Sequence, residues 1–383
     1  MTNACDLFAA LPAADYALPT GFVDALQTPA LVVDLDRVRA NVQRMLGYAG
    51  GPARWRPHLK TSKIPAVWRE LLRAGVRHVK CATTREAAVF ADVVAADGGD
   101  ADLLVAYPHR GPALRRLGEL AANNPRLSFA VLVEDRLVLG DVPAGLGVFV
   151  DVNPGMNRTG VPLADFDAVL ALARAAGPQF RGLHCYDGHQ HAADLAQRRA
   201  AIFADYQRVL ALVARLAAAG TPAGEVVTAG TPAFQHALAF SGFHSAPFVH
   251  RISPGTVVFH DARTQLENPD VALVPAALVL TRVISHPTPT IATCDAGSKA
   301  IAAEAGDPCA FVVGRSGLTA TAPSEEHLPF VCAAGARPAR GETLLLVPRH
   351  VCPTVNLAEQ AVLLEAGHAP RVVAVAARAH ELA

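Results

Sequence analysis

The sequence predicts an α/β protein with an N-terminal (β/α)8 barrel and a C-terminal, mostly antiparallel β domain. Two textures predict it. From residue 29 to about 252, short β-rich runs alternate with Ala/Leu/Arg segments whose apolar residues recur at helical spacing. Eight such units over about 225 residues match the usual size of a barrel. After Asn268 the chain turns to β-like runs separated by Pro and Gly, as in a separate antiparallel domain. A chain of 383 residues also exceeds what one core usually supports.

In order, the expected barrel strands are 30–35, 54–59, 76–82, 103–106, 127–133, 146–152, 180–186 and 226–229, with 248–252 extending or capping the set. Segments 64–72, 163–176 and 194–219 are the clearest helices between them. Periodicity does not show closure, so a doubly wound sheet is the alternative. Beyond 268, runs at 271–284, 290–294, 310–313, 343–347 and 372–376 are expected strands, and 357–364 the one helix. The domains are therefore expected at 27–268 and 269–383, with residues 1–26 packing on the second.

Composition narrows the function classes. Hydrophobic residues make up 51% and charged residues 18%, a well-buried globular balance without a disordered tail. The 34 basic and 34 acidic residues cancel, which points away from nucleic acid and membrane surfaces. No apolar run approaches the ~20 residues of a membrane helix. Asp6 and Asp15 argue against an export signal, so the expected location is cytoplasmic. Cys5, Cys81, Cys185, Cys294, Cys309, Cys332 and Cys352 are scattered and contain no CxxC pair, as free thiols would be.

Four constellations carry chemistry. Arg56-Pro-His58-Leu-Lys60-Thr-Ser-Lys63 places Lys60 at the C-terminal end of a strand, where barrels keep reactive groups. Burial and the like charges of Arg56, His58 and Lys63 would lower its ammonium pKa, and a neutral amine is what Schiff-base chemistry needs. The plain alternative is a solvated basic strand end. Asp151-Val-Asn-Pro-Gly-Met-Asn157-Arg158-Thr-Gly160 delivers Arg158 to the barrel mouth, either for an anionic ligand or to cap a helix or pair with Asp151.

Gly230-Thr231 and Gly255-Thr256 follow two late strands, where barrel phosphate sites are usually built, though both could be ordinary loop turns. His350 and Cys352, after an apolar strand, would share one strand face and could meet a divalent ion, most naturally zinc. Of the other histidines, His184 and His189, with Tyr186 at the same strand end, stand out as ligand contacts. His244, His250, His260 and His327 fit interior or surface roles equally well.

Taken together, TPALVVDLD (28–36), RPHLKTSK (56–63), GMNRTG (155–160), the two Gly-Thr turns, DAGSKAI (295–301), SEEH (324–327) and HVC (350–352) resemble the D-threonine aldolase and D-serine dehydratase family. These are fold-type III pyridoxal-phosphate enzymes built like alanine racemase. The resemblance covers essentially everything beyond residue 27, and RPHxKT and HxC are its specific parts. It implies that Lys60 is the Schiff-base lysine and that Arg158 lies near the cofactor's phenolic oxygen. It also implies that Gly230, Thr231, Gly255 and Thr256 form the phosphate loops; His58, His184 and Tyr186 are expected as further cofactor contacts from their places at strand ends. His350 and Cys352 become metal ligands, for zinc or alternatively manganese or magnesium. Two places depart from the family: Ser62 where relatives carry His, and Val257 where relatives carry Tyr.

The resemblance implies a homodimeric lyase acting on a small β-hydroxy D-amino acid such as D-serine or 3-hydroxy-D-aspartate. Its relatives that dehydrate carry His-x-Cys whereas D-threonine aldolases tend to carry His-x-Asp, so dehydration is expected and retro-aldol cleavage is the alternative. A racemase of the alanine-racemase type needs a tyrosine from the C-terminal domain, and the last tyrosine here is Tyr206, so that reaction is not expected. A non-catalytic pyridoxal-phosphate-binding protein would need neither the β domain nor the HVC pair.

Overall fold

The computed structural model describes residues 4–382, and side chains from Asp6 onward except that of Thr20. The chain forms two compact units. One comprises residues 42–60, 68–255 and the C-terminal stretch from 379; the other comprises residues up to 41, 61–67 and 256–378.

The first unit is the barrel. Seven parallel strands, His78–Cys81, Ala101–Val105, Leu127–Val133, Gly147–Asn153, Phe180–Cys185, Glu225–Thr228 and Val249–Ile252, lie in sequence order. Residues 55–58 complete it, because Trp55 bridges Ile252 at one edge and His58 bridges Lys80 at the other. Arg56 N–H donates to Ile252 O at 2.8 Å and Lys80 N–H to Pro57 O at 3.0 Å. Pro57 has no N–H to give, which is why the segment makes two bridges and no continuous ladder.

Leu104, Ala130, Leu132, Phe149 and Val227 fill one interior cluster. Helix starts follow from capping: Thr83, Asp135, Asp165 and Asp194 each accept an N–H three residues on. The helices expected near 163–176 and 194–219 are Phe166–Ala176 and Leu195–Ala218.

The second unit is a mixed, mostly antiparallel nine-stranded sheet. Strand Ala30–Asp34, expected as the first barrel strand, lies here instead. It pairs antiparallel with Ala277–Thr288 and parallel with Gln360–Leu364. Its middle three residues are buried, and a short apolar run carries no signal of which sheet will bury it. The units consequently divide differently from the expected boundary at 268.

The expected helix 357–364 is also corrected. The helix is Val351–Leu357, with Pro353 tolerated in its first turn, and Gln360–Leu364 is a strand paired on both sides. Near the N-terminus, Phe8 and Tyr16 join Leu278, Phe311, Val313 and Val347 in one cluster. Cys81, Cys185, Cys294, Cys309 and Cys332 are buried free thiols and Cys352 is half-buried; the Cys5 side chain lies outside those described. No helix among the described residues is long and apolar enough to cross a membrane.

Candidate active site

The strand ends of the barrel enclose a cavity of about 450 Å³. His58, Lys60, Arg158, His184 and Tyr186, each singled out from the sequence, line it together with Lys80, Ala82, Ala106, Tyr107, Pro108 and Thr159. Lys60 sits in a one-turn 3-10 helix, Leu59–Thr61, and its backbone N–H donates to His58 Nδ1 at 3.3 Å. Its side chain is exposed, so the expected burial is absent.

The expected basic cluster around Lys60 is also different. Arg56 points into the barrel interior, where Glu225 and Asp102 neutralise it at 2.8 and 2.7 Å. Lys63 Nζ lies 3.3 Å from Ala377 O in the β unit. Residues 56 and 58 of an extended segment share a face, but they sit at different depths along it.

The cavity's own cations are Lys60, Arg158 and Lys80. Lys80 was not legible as a site residue. It belongs to strand His78–Cys81, is 2% exposed, and its Nζ lies 3.3 Å from His184 Nε2 and 5.6 Å from the centroid of the Tyr186 ring. Burial first, then the charge of Lys60, pushes its amine from 10.5 down to about 7. Opposite, His184 Nδ1 lies 2.7 Å from Asp151 Oδ1, and Asp151 Oδ2 accepts the Thr159 hydroxyl at 2.8 Å. Burial and the neighbouring Lys80 charge hold the imidazole pKa below its ordinary value, against the pull of Asp151.

Arg158 emerges from a turn that Asn153 organises. Its Oδ1 accepts the N–H groups of Gly155 and Asn157, at 2.9 and 3.0 Å. The guanidinium then lies 4.6 Å above the Tyr186 ring rather than on Asp151. The glycine turn at 230 is held from below. Asp187 accepts Gly230 N–H at 3.1 Å and the Tyr206 hydroxyl at 2.5 Å. A Cβ on Gly230 would stand 2.8 Å from the Tyr186 ring, so only glycine lets the turn approach that ring. Ala229 takes φ 56°, a left-handed conformation of the kind that marks constrained sites. Ser253 Oγ donates to Thr228 O and Ala229 O at 3.0 and 3.1 Å, tying this turn to the one that leads to Gly255.

The β unit carries a second cluster. Thr61 Oγ1 and Thr256 Oγ1 lie 3.2 and 3.3 Å from Cys352 Sγ. The strand Thr343–Pro348 ends before His350, so the expected same-face strand spacing does not apply. His350 is the extended N-cap of helix Val351–Leu357 and Cys352 lies in its first turn, a bend that still lets the two side chains hydrogen-bond. Glu304 accepts from His350 Nδ1. Burial alone would lower the His350 pKa, but Cys352 and Glu304 raise it to about 9; burial would raise the Cys352 thiol, but His350 draws it down.

Among the described residues no group of three or more His, Cys, Asp and Glu side chains gathers to hold a metal ion. His350 and Cys352 are thus a two-donor set of imidazole and thiol, with Glu304 orienting the imidazole as a carboxylate behind a metal-bound histidine does.

A parallel barrel with a lysine at its mouth, followed by a β unit, defines the architecture of alanine racemase-like, fold-type III pyridoxal-phosphate enzymes. The family described as "Alanine racemase, N-terminal domain" matches residues 33–262, and "Putative serine dehydratase domain" matches residues 276–364. The chain is 32% identical to a D-threonine aldolase of Arthrobacter sp. over 92% of its length and 93% of the relative's. It is 28% identical to the D-threo-3-hydroxyaspartate dehydratase of Delftia sp. strain HT23, covering 86% and 92%. The crystal structure of D-threonine aldolase from Filomicrobium marinum is similar, with a TM-score of 0.80, 30% identity, and coverage of 92% and 95%. The chain belongs to the family of D-threonine aldolases and 3-hydroxyaspartate dehydratases.

Proposed function

We propose that the chain is a pyridoxal-phosphate-dependent lyase that dehydrates a β-hydroxy D-amino acid, hydrolysis of the dehydrated product giving a 2-keto acid and ammonia. The observation that carries the reading is the shared cavity of Lys60, Arg158 and His184 at the strand ends of a parallel barrel. Its lining fits the cofactor: an exposed lysine amine for the aldehyde, and cations for an anionic, phosphorylated ring. Pyridoxal phosphate, when bound, supplies an electron sink for the bond that breaks at Cα.

Lys60 Nζ would hold the cofactor's aldehyde carbon and would serve as the base that takes the proton from Cα. Arg158, steadied over Tyr186, would bind the anionic oxygen of the ring. By the family resemblance Thr231, Gly255 and Thr256 would receive the phosphate, with Gly230 allowing a close backbone approach. The β-hydroxyl leaves as water, and hydrolysis of the resulting unsaturated amine yields a 2-keto acid and ammonia.

His350 and Cys352 would hold a divalent ion, zinc by the softness of the thiolate, which supplies Lewis-acid chemistry at the β-hydroxyl. The His-x-Cys pair favours dehydration. The 32% identity to a D-threonine aldolase favours a second reading, retro-aldol cleavage to glycine and an aldehyde.

One assay separates them. D-serine, D-threonine and 3-hydroxy-D-aspartate are supplied with zinc or manganese, and keto acid, ammonia, glycine and aldehyde are measured. Keto acid with ammonia supports dehydration; glycine with aldehyde replaces it by cleavage. Cofactor absorbance that responds to none of them would make the protein a carrier. We place the enzyme in the cytoplasm as a homodimer, by family architecture and its set of buried free thiols. An active monomer in light scattering would remove the dimer.

A further inference from the structure

Lys80 is the buried cation of the cavity lining to which the reading above gives no task. Six groups face it and His184: Asp151 and Arg158 from the strand and loop on one side, Tyr186 and Asp187 after the next strand, and His58 and Lys60 from the first segment. Against Asp151 alone, a histidine would be drawn to accept a second proton and become an imidazolium. Lys80 Nζ stands at the one position that opposes this, 3.3 Å from the Nε2 where that proton would go.

We propose that Lys80 is a positioning residue of the lyase reaction: by donating to His184 Nε2 it keeps the imidazole neutral, with its single proton on Nδ1 toward Asp151. The floor of the cavity then offers no imidazolium proton, and Lys60 remains the group that exchanges protons with Cα. Placing an amine here is costly, since burial opposes its charge and Lys60 repels it. Val79 and Cys81, its neighbours in the strand, are apolar and fully buried on the other face, so an apolar residue at position 80 would fit the same pattern.

The inference rests on the lyase reading for its consequence, but its geometry is tested without cofactor. Histidine ¹⁵N resonances of the apo-protein, with His184→Gln for assignment, report the protonation of His184 between pH 5 and 8. In the wild type we expect His184 to stay neutral across that range. In Lys80→Met, which fills the same volume without charge or donor, we expect His184 to titrate at least about one pH unit higher, the size a removed neighbouring charge produces. Lys80→Arg should restore wild-type behaviour. Lys80→Gln, an uncharged donor, should fall between and serves if the Met variant does not fold.

With substrate, Lys80→Met should show a new ionisation on the acid limb of its pH–rate profile. A His184 titration unmoved in folded Lys80→Met and Lys80→Gln overturns the inference. So does a moved titration with a pH–rate profile parallel to wild type, since a merely structural lysine would change only overall yield or rate. Absence of turnover in the wild type on any β-hydroxy D-amino acid would instead remove the lyase reading, while the resonances still decide whether Lys80 holds His184 neutral.

Discussion

Arg56 holds both carboxylate oxygens of Glu225, with Nε at 2.8 Å and Nη2 at 2.9 Å, and turns Nη1 to Asp102 at 2.7 Å. Asp102 and Glu225 stand at strand starts, away from the mouth. Arg251 and Arg181 complete this ion network by pairing with Glu225 and Asp102. It is a buried ion network at the strand starts, and none of its members lines the cavity.

Removing one member leaves its partners buried and uncompensated. We expect Glu225→Gln or Arg56→Met to lower the unfolding free energy by about 3–5 kcal/mol, the usual cost of breaking a buried pair. The urea midpoint measures it. Unchanged stability would mean that the network is solvated.

Asp102 gives the same network a pH signature. Arg56 and Arg181 outweigh burial and hold its pKa below the ordinary 3.8. A depressed carboxyl contributes stability that is complete above its unfolded value and lost as pH falls through the folded one. Stability should therefore drop as pH is taken below about 4. Asp102→Asn should lose stability at pH 7 but show a flatter decline with acid.

Much of this was legible in the sequence, for reasons that also mark its limits. The barrel strands from residue 78 to 252 announce themselves because buried parallel strands read as continuous apolar runs between capped helices. The RPHLKTSK and GMNRTG segments point to the mouth because reactive groups follow strand ends. Strand Ala30–Asp34 could not be placed, since an apolar run looks the same in either sheet. The basic character of RPHLKTSK misled, because Arg56 and His58 share a strand parity but only His58 reaches the cavity. Lys80 had one available signal, a charge flanked by Val79 and Cys81 inside a buried run, which local composition reads as a strand edge.

That buried amine sets a stability expectation of its own. In the unfolded chain Lys80 titrates near 10.5, and in the fold near 7. Between those values the unfolded state binds more protons, so stability should rise with pH across the window, and the cost is complete below about 7. Lys80→Met should stabilise the apo-protein at pH 6 by a few kcal/mol, at about 1.4 kcal/mol per pH unit of displacement. The gain should shrink toward pH 10. Thermal melts at both values check it, and a variant less stable at pH 6 would show that Lys80's hydrogen bond outweighs its desolvation.

Lys60 should be the residue that carries the cofactor. Borohydride reduction of the loaded protein followed by peptide mapping should place the label on the peptide containing Lys60. Lys80 is the instructive alternative, because its amine is neutral in part near pH 7 and lines the same cavity. Exposure favours Lys60: Lys80 is 2% exposed, whereas Lys60 is solvent-exposed. Label on Lys80, Lys63 or Lys299 would refute the assignment.

The metal proposal turns on Cys352. Its sulfur sits among the hydroxyls of Thr61 and Thr256 and the imidazole of His350, a setting that draws the thiol toward thiolate. If these two side chains alone hold the ion, losing one should collapse affinity, since even second-layer losses cost about 10–100-fold in metal binding or activity. Chelator is expected to abolish turnover while the cofactor's absorbance persists, because the lysine linkage needs no metal. Cys352→Ala should behave like the chelated enzyme at any practical zinc concentration. Cys352→Asp replaces a soft donor by a hard one and should recover part of the activity with manganese. Glu304→Gln, which leaves both donors in place, should weaken the metal without abolishing it. Full activity of Cys352→Ala in metal-free buffer would end the proposal and leave the His350–Cys352 contact a structural hydrogen bond at a helix start.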